Sequence, residues 1–83
     1  MKFSRVVHGV PKWLLEEYLQ ELGGQLSGEN IVGEGWVAEY RRIEDKKVGS
    51  IVIGRHLLEI DGDEASLHQL LPHLEMKLLR GGG

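Results

Sequence analysis

Pro11-Lys12-Trp13-Leu14-Leu15-Glu16-Glu17-Tyr18-Leu19-Gln20-Glu21-Leu22-Gly23-Gly24 is the stretch that decides the fold. Leu15, Leu19 and Leu22 recur at the spacing of one helical face, and Leu14 with Tyr18 widens that stripe. Glu16, Glu17, Gln20 and Glu21 occupy the other face. Pro11 suits a first helical position, where its missing N–H has no partner to lose. Gly23-Gly24 supplies the residue for a left-handed cap. The pattern predicts a helix from Pro11 to Leu22.

Outward from this helix the period changes to two. Upstream, Phe3, Arg5 and Val7 alternate with Ser4, Val6 and His8, so Lys2 to His8 reads as a strand that Gly9-Val10-Pro11 ends. Downstream, Gln25 to Glu34 is polar and glycine-punctuated, and only Ile31-Val32 favours a strand. A short edge strand is expected at Glu29 to Val32, followed by a turn at Gly33-Glu34-Gly35. Trp36 to Ile43 alternates well, with Trp36, Ala38 and Tyr40 on one face. Glu44-Asp45-Lys46-Lys47 reads as a charged hairpin connection, and Val48 to Ile53 as a β-branched strand. Gly54-Arg55 then fits a two-residue turn with glycine first, leading to a returning strand from His56 to Ile60.

Asp61-Gly62-Asp63-Glu64 leads into a second helix, with Asp61 or Asp63 as its cap. Leu67, Leu70, Leu71, Leu74 and Leu78 share one face of it, and Pro72 predicts a kink or a restart. The whole order is strand, helix, four strands, helix. It implies an α+β domain over residues 1–83: an antiparallel curved sheet with two helices on one face, and residues 81–83 as a flexible glycine tail.

A chain of 83 residues with 41% hydrophobic content forms one thin core. With no cysteine, disulfides and thiolate metal sites are excluded, which fits a cytoplasmic protein. The net charge of −3 argues against dedicated nucleic-acid binding. No run approaches the ~20 apolar residues of a membrane span. Charged residues at 28% are compatible with a thermophilic source.

No catalytic constellation emerges, and no cofactor is expected. His8, His56, His68 and His73 form neither HExxH nor a helical pair four apart. The acidic turn from Asp61 to Glu64 lacks the calcium-loop spacing, so capping is its better role. Gly28, Gly33 and Gly35 match neither phosphate-loop pattern and read as turn glycines. Ser4, Ser27, Ser50 and Ser66 lie in no nucleophile elbow. Arg41, Arg42, Lys46, Lys47 and Arg55 form a candidate interaction cluster for an anionic ligand or acidic partner, against a solvated face balanced by Glu39, Glu44 and Asp45. Trp13, Trp36 and Tyr40 are candidate pocket residues, with core packing as the competing role.

The terminal Leu79-Arg80-Gly81-Gly82-Gly83 looks like the threading tail of sulfur carriers and ubiquitin-like proteins. Those proteins, however, open with a strand hairpin before the helix, and glycines directly after a helix also serve to end it.

Pro11-x-Trp13-Leu14-Leu15-Glu16-x-Tyr18-Leu19, Gly23-Gly24, Lys47-Val48-Gly49-Ser50, the acidic turn and Arg80-Gly81-Gly82-Gly83 together give a more specific signal. From Phe3 to Gly83 the chain resembles the C-terminal domain of the MoaD-related proteins of Thermus-type bacteria, a domain of unknown function. The resemblance implies a fold similar to the TATA-binding-protein class, in which this domain follows a β-grasp unit similar to the small subunit of molybdopterin synthase. The sequence lacks that unit, which carries the sulfur. The resemblance supplies no catalytic residues. The expectation is a non-enzymatic accessory or interaction module with a protein partner from sulfur-carrier or molybdenum-cofactor metabolism, and with a homodimer as one arrangement. A carrier using Gly83 and a small-ligand binder are the alternatives.

Overall fold

In the computed structural model, which describes residues 1–80, the elements are β1 (Lys2–His8), α1 (Lys12–Glu21), β2 (Gln25–Ser27), β3 (Asn30–Gly33), β4 (Trp36–Val48), β5 (Ile51–Gly62) and α2 (Glu64–Arg80). The tail read at Gly81, Gly82 and Gly83 lies outside the described residues. The strands form one antiparallel sheet in the order β1-β5-β4-β3-β2. This is an α+β architecture with two layers.

Alternation decides which face is covered. Trp36, Ala38 and Tyr40 on β4, Leu58 and Ile60 on β5, Val7 on β1 and Ile31 on β3 are buried on one face. Leu15 and Leu19 of α1 and Leu67, Leu70, Leu74 and Leu78 of α2 pack into the same core, so both helices lie on that side. Each buried leucine removes enough apolar surface to contribute roughly 1.5–3 kcal/mol. At the periphery Lys77 of α2 pairs with Glu21 of α1 and lies 5.7 Å from the Tyr18 ring centroid.

Several boundaries differ from the sequence expectation. Gly54-Arg55 is no turn: β5 runs unbroken through it, and the hairpin closes at Gly49-Ser50, between the paired Val48 and Ile51. Gly49 carries the positive φ of 60° that a glycine-first two-residue turn requires. Gly54 instead offers its carbonyl to the N–H of Gly9, where β1 hands over to α1 (2.9 Å). Glu44 to Lys47 is strand rather than connection; β4 absorbs it with a register shift between Ile43 and Lys46. Gln25–Ser27 forms a strand of its own, so β2 and not β3 is the sheet edge. Pro72 lies inside an uninterrupted α2. It sits on the exposed side, as does His68, whose carbonyl loses its helical donor to the proline.

Beyond the His8–Arg55 pair, β4 and β5 continue alone as a two-stranded ribbon.

Candidate functional site

An open cleft of about 750 Å³ lies where α1 ends, β3 turns into β4 and α2 begins. Its position follows from local chain chemistry. Gly23, at φ 101°, ends α1, and the buried Gly24 donates its N–H to the Leu19 carbonyl at 2.8 Å. Gly33, having no side chain, lets the Trp36 indole lie against it; a Cβ there would overlap the ring. Asp63 caps α2, accepting from the Ser66 N–H (2.8 Å) and the Ser66 hydroxyl (2.9 Å). These bonds hold the Asp63 carboxyl below its ordinary value of 3.8.

The cleft has an apolar floor of Trp36, Leu22 and Leu70, and a polar rim from Glu34, Gln69 and His73. Such a surface suits an extended segment or a small molecule with a few hydrogen-bonding groups. Among the described residues no group of three or more His, Cys, Asp or Glu side chains could hold a metal ion.

Of the three sequence-derived pocket residues, Trp36 alone lines this cleft, at 7% exposure. Trp13 is 65% exposed and outside the core, which corrects its core-packing role. Two positions before Leu15, it lies about 200° around the helix from the buried stripe. Tyr40 is buried, its hydroxyl donating to the Val10 carbonyl at 2.7 Å.

Tyr40 belongs instead to a second constellation. The His56 ring stacks on it with centroids 4.4 Å apart and planes 8° from parallel. Burial pushes the Tyr40 phenol up to about 12. Burial, then the neighbouring Arg42 and Lys12, lowers His56 below its ordinary 6.5, with Asp45 opposing. Among the described residues its Nδ1 is buried without a partner. Both rings therefore stay uncharged near neutral pH. They serve to lock the β1–α1 junction onto the middle of the sheet. Sequence reasoning missed His56 because it was read as a strand start; only the pairing of Arg42 with His56 reveals it.

The basic cluster does not form one patch. Arg41 faces away from the helices and bridges Glu39 (3.7 Å) and Glu59 (3.3 Å). Arg42, on the opposite face, binds Asp45 at 3.0 Å. Arg55 donates to the Glu44 carbonyl at 2.7 Å. Lys46 and Lys47, successive residues on the ribbon, point to opposite sides.

The fold and cleft define a small two-layer α+β domain in which α1 follows β1 directly and an open cleft with a mixed apolar and polar lining lies beside Trp36. The chain matches the family described as archaeal MoaD-like protein over residues 4–83 and belongs to that family. No curated protein matches it. Among the described residues, no helix is long and apolar enough to cross a membrane.

Proposed function

We propose that this chain is a non-enzymatic accessory domain that engages a protein partner of a sulfur-carrier or molybdenum-cofactor system through the cleft at Trp36. Membership of the MoaD-like family, spanning residues 4–83, carries this reading. The open apolar floor with its polar rim supports a peptide-like occupant over a buried reactive centre. Affinity capture from native cells checks it. The wild-type chain should recover cofactor-pathway or sulfur-transfer proteins, and Gln69→Arg, which crowds the cleft from an exposed position, should lose them. Recovery of none, or capture indifferent to Gln69→Arg, would overturn the reading.

A second reading makes Gly83 a carrier terminus. It is favoured by the three glycines inside the matched span. Mass spectrometry of the native protein should then show one C-terminal oxygen exchanged for sulfur, and deletion of the glycines should abolish transfer. A native protein carrying only the plain carboxylate under sulfur-replete growth excludes it.

A further inference from the structure

An antiparallel sheet covered on one side normally turns polar residues outward on the other. Here Val6, Leu57, Ile53, Ile51, Val37 and Val48 all take outward positions, as their pairing in register shows. Val6, Val37, Val48 and Ile51 are exposed. The face opposite the helices thus carries apolar side chains between its charged ones, and among the described residues nothing covers it.

The charges on this face are sorted along the strands. Toward Gly62, the outward carboxylates Glu39, Glu59 and Asp61 outnumber the outward cations Lys2 and Arg41, which both pair with Glu59. Toward the ribbon, the outward charges at paired positions are Arg55 and Lys46. Leu57 lies midway. Two residues before it on β5 stands Arg55, and two after it Glu59; four before stands Ile53, paired with Lys46, and four after Asp61, paired with Val37. Arg41, in the same row as Leu57, is already neutralised by Glu39 and Glu59 of its own chain.

We propose that this outer face is a homodimer interface, its occupant a second copy of the chain related by a two-fold axis crossing the strands at Leu57. That operation reverses the strands and lays each row on its mirror row. Arg55 of one copy meets Glu59 of the other, and the Ile53–Lys46 row meets the Asp61–Val37 row, each contact occurring twice by symmetry. Leu57 and Val6 pack across the axis. Aligned face-to-face packing of two sheets has the geometry this requires. The cleft at Trp36 lies on the helix side and stays open in the dimer, so this interface and the proposed partner site are independent.

Sedimentation of the full chain tests the interface. The wild type should sediment at twice its 9.3 kDa mass. Arg55→Glu and Glu59→Arg should each weaken dimerisation by about tenfold or more, because a like pair replaces an opposite pair twice. Mixing the two variants should restore wild-type affinity as a heterodimer, since the acidic copy then faces the basic copy. Lys46→Glu with Asp61→Lys tests the next row out, where the two side chains meet diagonally across adjacent strands, and serves if Glu59→Arg fails to fold. A wild-type monomer at all concentrations, a monomer that captures an unrelated protein on this face, or a mixture that stays monomeric overturns the proposal.

Discussion

The two ends of β4 and β5 are built from one continuous hairpin yet live in different environments. From Trp36 to Tyr40 and from Leu58 to Ile60, alternate side chains are buried under the helices. From Val48 to Val52 every residue is exposed, with Ile51 at 62% and Val52 at 58%. Strand propensity is no lower at the ribbon end, where β-branched residues are dense. What differs is the neighbourhood: β1 and β3 flank the covered end, whereas among the described residues the ribbon has no third strand and no helix against it. An isolated two-stranded ribbon is marginal in water. Propensity therefore shapes the ribbon, and burial stabilises the sheet.

Truncation at the two ends breaks the comparison most strongly. Leu58→Ala or Leu74→Ala, at fully buried sites, should destabilise by about 2–5 kcal/mol in urea titrations. Val52→Ala in the ribbon should stay within about 0.5 kcal/mol. Equal losses at both ends would mean that the ribbon is covered in solution. Gly33→Ala probes the covered end from the backbone: its Cβ would intrude on the Trp36 indole, and about 1–3 kcal/mol should be lost in the same titrations.

Tyr40→Phe sharpens the comparison at the boundary between the ends. It leaves the Val10 carbonyl without its donor, and urea titration should read a loss of about 1–3 kcal/mol. Tyr40 also sets the alkaline limit. Its folded value of about 12 exceeds the ordinary 10.0, so its contribution is complete below pH 10 and fades as pH rises through 12. Absorbance titration should show one phenol ionising late.

The smallest effect is at the acid side. His56 is depressed in the folded chain, so its contribution is present above pH 6.5 and is lost as pH falls through the lower folded value. Stability measured against pH should lose that slope in His56→Phe. A slope unchanged by the substitution would show that His56 is not the group responsible.

Much of the covered end was legible in the sequence. The leucine stripe of α1, the inward set Trp36, Ala38 and Tyr40, and the leucines of α2 each follow one period, and each is buried as that period requires. The ribbon was not. The rule of a two-residue turn with glycine first held, but it could be satisfied at Gly49-Ser50 or at Gly54-Arg55, and local sequence favours neither. The Gly9 N–H occupying the Gly54 carbonyl is what separates them. In the candidate site, Trp36 was accessible to pattern reasoning, while Trp13 was misplaced because an aromatic beside a helical stripe looks apolar enough to be inside.

By itself the sequence determined the α+β class, the first strand, the two helices and the covered face, because periods of 3.6 and two are local and each names its own buried side. Only the tertiary structure decided where the hairpin turns, which strand is the edge, and that Tyr40 stacks on His56 while Trp36 floors the cleft. Those features depend on which distant backbone groups become partners, and such pairings are chosen by the packing of the whole sheet.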